Sequence, residues 1–231
     1  MHERERAFVT NKHNVDPTLK LGSFTTYLLE SCDIEPKRFA GQNPQSATKY
    51  FSVDITCTPL VLSTDADVAL FIAPKFTTSC GTHRAGDVIS SDDLADAQFF
   101  LDKLSLMDQA SFIGYAENTQ SKWWDQQWNL GIARTVNIAS VPGIPFSHHD
   151  IPTADCILVA GLSFSGASGS LVMLHEKSIE VGPGFHNPHY VPPKIIGIMS
   201  GHWWDATQSP AMFQHSGLSY LTRSTAVLAL L

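Results

Sequence analysis

Apolar and polar residues alternate along much of this 231-residue chain with the two-residue period of a half-buried β-strand. In KYFSVDITC (49–57), for example, Phe51, Val53 and Ile55 alternate with polar residues. Other short segments bounded by Gly, Pro, Asp or Asn have the same character: LGSFTTYLLE, DVALFIAP, ASFIGYAE, ARTVNIASV, DCILVAG, GSLVML and KIIGIMSG. Many short strands without a strand–helix rhythm predict an all-β fold of barrels or a sandwich.

Helical patterns are few. SDDLADAQFFLDKL (91–104) predicts a helix that Ser91 and Asp92 could cap. The tail LSYLTRSTAVLALL (218–231) spaces its leucines loosely on one face and predicts a closing helix. The segments 35–49 and 181–194 are rich in Pro, Gly and Asn and predict long loops.

Composition narrows the class of protein. A 43% hydrophobic fraction supports a real core, and the net charge of −7 argues against a nucleic-acid partner, which needs clustered cations. No apolar run reaches the length of a membrane span, and MHERERAFV lacks the apolar segment of a signal peptide. Cys32, Cys57, Cys80 and Cys156 are too few for a disulfide-built fold and are expected to be buried thiols. We therefore expect a cytoplasmic protein with no membrane or nucleic-acid partner.

The segment GLSFSGASGSLVML (161–174) is either a flexible turn before a strand or a loop that presents one hydroxyl in a fixed place. A serine nucleophile needs a base, and the oxyanion it creates needs fixed donors nearby. On the second interpretation Ser168 is the nucleophile, and the N–H groups of Gly166 and Ser168 are the donors. Taken alone the pattern is weak, because Gly/Ser turns before strands are common.

Two further residues are candidates to act together with Ser168. His13 follows the short apolar strand of AFVTNKHNV (7–15), and Asp67 opens the apolar strand of DVALFIAP. Each has an ordinary alternative: a surface or capping histidine, and a turn aspartate. Together with Ser168 they fall in the chain order His, Asp, Ser, one of the known orders of a nucleophilic triad.

The elements TNKH, DVALF, GASGS and IIGIMSG resemble those of the trypsin-like (chymotrypsin-fold) serine peptidases, especially the disulfide-free bacterial type. The segment FIGYAENTQSKWWDQQWNLGIARTVNIAS resembles their second barrel, so the similarity covers roughly residues 7 to 225. The resemblance implies a chymotrypsin-like double barrel of antiparallel strands, here with a C-terminal helix. Residues 1–107 would form the barrel with His13 and Asp67, and residues 108–231 the barrel with Ser168.

The resemblance also implies an activity: a serine endopeptidase that needs no cofactor and acts on a protein or peptide. His13 would act as the base, Asp67 would orient it, and Gly166 and Ser168 would form the oxyanion hole. Ser200 matches the strand that pairs with substrate backbone. Leu162, six residues before Ser168, would lie at the base of the primary pocket and favour an apolar or small side chain there.

Several positions depart from the family pattern or stand outside it. His202 stands where a pocket-wall glycine is common and would narrow or polarise the pocket, and Ala167 stands where members activated from a zymogen carry an aspartate. Only twelve residues precede His13, which predicts either an incomplete first barrel or strands supplied by a longer parent protein. The alternative function is an inactive peptidase-like module that binds peptides. A regulatory partner or fused sensor is a further expectation.

Four histidines in or near Pro-rich loops are the remaining metal candidates: His148, His149, His186 and His189. They lack the spacing of metal ligands, so no metal site is predicted.

Overall fold

The structure is a computed structural model, and it describes residues 7–15, 23–26, 51–54, 60–72, 76–78, 89–115, 131–148, 154–178, 187–205 and 214–231. Within these residues the fold is all-β, as predicted. The strands are β1 Ala7–Thr10, β2 Ser23–Thr26, β3 Phe51–Asp54, β4 Leu60–Leu62, β5 Ala69–Ile72, β6 Phe76–Thr78, β7 Gln109–Gly114, β8 Ile132–Ile138, β9 Cys156–Ala160, β10 Leu171–Leu174, β11 Lys194–Asp205 and β12 Gln214–Arg223. The α-helices are α1 Ala97–Asp102 and α2 Ser224–Leu228.

The second half of the chain forms a closed antiparallel barrel in the order β10-β11-β12-β9-β8-β7. Its strands show the period that the sequence predicts: in β10, Val172 and Leu174 are fully buried, whereas Leu171 and Met173 between them are exposed. The inward residues of the six strands make one hydrophobic core. Each large side chain buried there contributes about 1.5–3 kcal/mol relative to an exposed one.

The strands of the first half form two three-stranded antiparallel sheets, β1-β5-β4 and β2-β3-β6. β1 is an edge strand of its sheet, and Thr10 at its end pairs with Ala69 of β5. This pairing sets the turn after β1 beside the turn before β5. Those two turns carry His13 and Asp67.

The predicted strand segments all contain strands, whereas both helix predictions need correction. The tail is not helical from residue 218, because β12 runs on to Arg223 and pairs with β9 and β11 at once. Its Ser219, Leu221 and Thr222 are fully buried. Tertiary pairing therefore overrides the loose helical spacing, and α2 begins only at Ser224.

The segment 91–104 is broken into two pieces. A short 3-10 helix, Ser91–Asp93, is capped by Ser90 rather than by the predicted residues. Leu94 then forms a bridge with Ile195 of β11, and the next N–H donates to the Ile195 carbonyl at 2.8 Å. The backbone used in that pairing cannot be helical, so α1 starts afterwards with Asp96 as its N-cap.

Polar bonds fix the C-terminal helix to the barrel. Both Arg223 Nε, at 2.5 Å, and a terminal guanidinium N–H of Arg223 donate to one carboxylate oxygen of Asp155. Thr225 donates its hydroxyl to the other oxygen at 2.6 Å. The buried Ser224 hydroxyl donates to the carbonyl of Ala95 in the segment between the two halves of the chain. The start of α2 is thus tied to β9 and to the connecting segment.

Cys156 is fully buried, as predicted, and its thiol donates to the carbonyl of Phe146 at 3.2 Å. Burial raises the pKa of this thiol to about 11, and the charge of Asp155 acts in the same direction. The other three cysteines lie outside the described residues.

We expect iodoacetamide to alkylate Cys156 at pH 8 about 100-fold more slowly in the native protein than in the urea-unfolded chain. The thiolate is the reacting form, and its fraction at pH 8 is about one in a thousand for a pKa of about 11. It is about one in ten for an unburied thiol with the ordinary pKa of 9.0. Peptide-level mass spectrometry measures both rates, and equal rates would contradict the buried thiol.

Candidate active site

The Gly/Ser segment is an ordered loop between β9 and β10. Ala167 N–H donates to Phe164 O at 3.0 Å, and Gly166 between them has φ of +83°. These are the features of a type II turn, whose third position requires the left-handed region that glycine adopts freely. A second turn follows, in which Ser170 N–H donates to Ala167 O at 3.1 Å.

Neighbouring strands hold this loop in place. Tyr115 N–H donates to Gly166 O at 3.3 Å, and Gly169 N–H donates to Met199 O at 2.9 Å. Gly169 has φ of +87°, and a Cβ on it would lie 2.9 Å from Thr10 Oγ1. Only glycine therefore allows the loop to approach the end of β1. The loop before and after Ser168 is positioned by main-chain bonds and by contact with the first half of the chain.

Ala167 is almost fully buried and belongs to the barrel core. A carboxylate at this position would be charged inside an apolar cluster, at a cost of several kcal/mol unless paired. The loop is instead held by the backbone bonds just described.

His13 and Asp67 are joined by two hydrogen bonds. His13 Nδ1 lies 2.6 Å from Asp67 Oδ2, and the His13 backbone N–H donates to Asp67 Oδ1 at 3.0 Å. Because the carboxylate accepts, we assign the ring proton to Nδ1, which leaves the Nε2 lone pair to act as a base. The His13 side chain is 47% exposed and that of Asp67 is 14% exposed, so the ring is accessible and its partner is sheltered.

Asn11 is a further site residue, and sequence reasoning did not single it out. Its side chain is fully buried, and its amide donates to the backbone carbonyl of Asp67 at 3.0 Å and to Ser200 Oγ at 2.9 Å. Ser200 lies at a bulge where β11 shifts register against β12, and its hydroxyl also contacts Thr222 Oγ1 at 2.7 Å. Asn11 thus links the turn of Asp67 to β11 of the barrel.

Ser168 lies beside the turn that carries His13. Asn14 Nδ2 donates to Ser168 O at 3.3 Å, while the Ser168 hydroxyl donates to Ser200 O at a long 3.5 Å. Among the residues described, Ser168 and His13 form no hydrogen bond with each other. The structure therefore brings the three predicted triad residues to one place, with the His13 ring held by Asp67 and the Ser168 hydroxyl directed to Ser200 O.

The two predicted oxyanion donors remain available. Neither Gly166 N–H nor Ser168 N–H donates to any residue in the described part of the chain. Unpaired N–H groups in a tight turn are suited to hold a developing negative charge.

A cleft of about 250 Å³ opens beside Ser168. It is lined by Ser163, Phe164, Ser165, Ala167, Ser168, Met199, Ser200, Gly201, His202 and Tyr220. Ser200 and His202 are thus in its wall. Leu162, predicted at the base of the primary pocket, is not among the lining residues and is 49% exposed. The next residue, the buried Ser163, lines the cleft instead.

Two of the four histidines considered as metal candidates are described, and the backbone N–H of one of them, His189, donates to Asn187 Oδ1 at 3.0 Å. The ring of His148 lies 4.3 Å from that of Trp203. His149 and His186 lie outside the described residues. Within the residues described, no group of three His, Cys, Asp or Glu side chains is arranged to hold a metal ion, and the helices found there are too short or too polar to cross a membrane.

The closed barrel, the second set of sheets and the cleft at Ser168 place the chain in the chymotrypsin-like class of all-β folds. Among solved structures, it is similar to the MamO protease domain from Magnetospirillum magneticum in its apo form. The TM-score is 0.51 at 10% sequence identity, over 98% of this chain and 82% of that chain. At this identity the likeness shows the fold alone. No family model matches the sequence, and no curated protein matches it.

Proposed function

We propose that this chain is a serine endopeptidase that hydrolyses peptide bonds with Ser168, His13 and Asp67. The observation that carries the proposal is the pair of bonds from His13 to the Asp67 carboxylate, set beside an ordered loop that bears Ser168. A histidine held in this way by a carboxylate has its Nε2 ready to accept a proton.

The proposed reaction begins with a proton transfer from Ser168 to His13. His13 Nε2 takes the proton of Ser168 Oγ as the oxygen bonds to the substrate carbonyl carbon, and the electron pair of that carbonyl moves to its oxygen. Gly166 and Ser168 donate their N–H groups to the oxyanion, each worth on the order of 3 kcal/mol in the transition state. The protonated His13 gives the proton to the leaving amine as the C–N bond breaks. A water, deprotonated by His13, then attacks the acyl carbon, the bond from that carbon to Ser168 Oγ breaks, and His13 returns the proton to Ser168 Oγ.

The Ser168 hydroxyl has to turn from Ser200 O to His13 for the first step. The bond that it leaves is long, at 3.5 Å, so little energy is lost. Catalytic hydrogen bonds commonly tighten only when substrate is bound. A substrate strand along β11 would compete for Ser200 O and release the hydroxyl.

A fluorophosphonate probe tests the proposal, since it forms a covalent bond only with an activated serine. We expect stoichiometric labelling of the native protein and none of Ser168→Ala. Ser170→Ala is the matched control: it removes a hydroxyl from the same loop and leaves the main-chain bonds of Ser170 in place. Labelling of Ser168→Ala equal to that of the native protein would refute the proposal that this chain is an enzyme. No labelling of the native protein would refute it as well.

The second candidate function is a peptide-binding module without hydrolysis. One observation favours it, namely that the Ser168 hydroxyl is bonded to Ser200 O and not to His13. Both candidates predict that Ser168→Ala still binds peptides in the cleft. Probe labelling separates them, because the binding module would remain unlabelled.

A further inference from the structure

The cleft beside Ser168 is polar but carries no fixed charge. Its lining includes neither Asp, Glu, Lys nor Arg among the residues described. A charged substrate side chain that entered it would lose water and gain no opposite charge, which is costly. The protein's net charge of −7 adds nothing favourable for an acidic side chain. The cleft therefore offers no carboxylate to lysine or arginine and no lysine or arginine to glutamate, and the one histidine among its described lining residues is His202.

Tyr220 supplies a hydroxyl to this cleft. Its side chain is half-buried, and its hydroxyl forms no hydrogen bond with any residue that the structure describes. A Cβ on Gly201 would lie 2.4 Å from this hydroxyl oxygen, so glycine at that position makes room for the hydroxyl end of the Tyr220 ring. An apolar substrate side chain would remove water from this hydroxyl without replacing its hydrogen bond, which is unfavourable.

The protonation state of Tyr220 decides whether its phenol oxygen can donate a hydrogen bond. Burial raises the pKa of the Tyr220 phenol, and the negative charge of Asp67 acts in the same direction. The phenol therefore keeps its proton at neutral pH and acts as a donor. The natural partner of such a donor is a carbonyl oxygen.

Two buried serines add polar groups that both donate and accept. Ser163 lines the cleft, and its hydroxyl oxygen lies 2.9 Å from that of Ser219 and 3.3 Å from Gly201 O. Serine hydroxyls rotate to suit a new partner. A neutral group that accepts from a phenol and donates to a hydroxyl satisfies this set.

We infer that the cleft binds a substrate side chain ending in a carboxamide, glutamine or asparagine, at the residue immediately before the cleaved bond. Tyr220 donates to the side-chain carbonyl oxygen, and the side-chain NH₂ donates to a serine hydroxyl. This inference rests on the proposed peptidase function. It replaces the apolar preference that Leu162 suggests, since Leu162 is outside the cleft.

The test compares peptides that differ only at that residue: Gln, Met, Glu, Asn, Leu and Lys. We expect kcat/KM for Gln to exceed that for Met at least tenfold, or that for Asn to exceed that for Leu by the same factor. These pairs are matched in shape and differ in the carboxamide. Equal rates within each pair, or a preference for Glu or Lys, would overturn the inference.

Tyr220→Phe removes the hydroxyl alone. We expect the variant to lose about tenfold in kcat/KM on the carboxamide peptide and to stay within twofold on its apolar match. A site built to hydrogen-bond a substrate discriminates strongly against analogues that lack the group. Tyr190→Phe is the matched control, since Tyr190 does not line the cleft. Equal losses on both peptides in Tyr220→Phe would assign Tyr220 a purely structural role.

Failure of the inference and failure of the proposed function give different results. Fluorophosphonate labelling of Ser168 reports on the function and does not depend on the cleft's preference. Labelled protein without a carboxamide preference, or without cleavage of any of the peptides, counts against the inference alone. Unlabelled protein counts against the function.

Discussion

Asp67→Asn is expected to lower kcat/KM for peptide hydrolysis by about 10⁴-fold and to leave the fold intact. The asparagine carbonyl oxygen can still accept from the His13 backbone N–H, which now bonds to Asp67 Oδ1 at 3.0 Å. The asparagine NH₂ would then face His13 Nδ1, which lies 2.6 Å from the carboxylate in the native protein. A donor there forces the ring proton onto Nε2, so His13 can no longer take the proton of Ser168.

Asp65→Asn is the control for this experiment. Asp65 lies in the same turn, its side chain is exposed, and its bond to Ala154 uses its backbone carbonyl. Peptide kinetics and thermal unfolding of both variants are the measurements. Asp67→Asn activity within tenfold of the native protein, with normal unfolding, would mean that Asp67 does not orient the base.

Asp155→Ala is expected to lower the free energy of unfolding by about 2 to 4 kcal/mol. Removing one partner of a buried ion pair strands the other charge, at a typical cost of about 3 to 5 kcal/mol. The Asp155 side chain is 24% exposed and that of Arg223 is 11% exposed, so water screens part of this loss. The variant also removes the acceptor of Thr225 at the start of α2.

Urea unfolding measures this change in the free energy of unfolding, and two further variants serve as references for its size. Thr225→Val removes one hydrogen bond to Asp155 and is expected to cost about 1 kcal/mol. Asp102→Ala removes an exposed carboxylate that bonds Gln98 within α1, and is expected to cost less than about 0.5 kcal/mol. A loss for Asp155→Ala no larger than that for Asp102→Ala would show that the pair does not fasten α2.

The strands could be predicted from sequence because the alternation of apolar and polar residues in each strand follows the burial of that strand's own side chains. Val172 and Leu174 face the core and Leu171 and Met173 face out, so the period is visible without knowing the neighbours. Leu94 and the tail before Ser224 are not helical as the sequence predicts, and the reason is the opposite one. Their conformation is decided by pairing with Ile195 and with two barrel strands, and no local pattern records a partner so far along the chain.

The candidate site likewise contains residues that a local motif predicts and residues whose role depends on distant contacts. His13, Asp67 and Ser168 stand in short motifs with few interpretations. Asn11 stands in the same TNKH motif, yet its role depends on contacts 56 and 189 residues away. The place of Leu162 was inferred by counting back from Ser168, and a count does not reveal which way a side chain turns.

Gly169 packs against Thr10, and Asn11 binds both Asp67 and Ser200, so the chemistry depends on contacts between two separately built halves of the chain. The halves also share a buried apolar cluster, in which Val68 and Leu70 pack with Ile198 of β11 and Val227 of α2. On the proposed function, hydrolysis therefore requires that the two halves of the chain remain packed together.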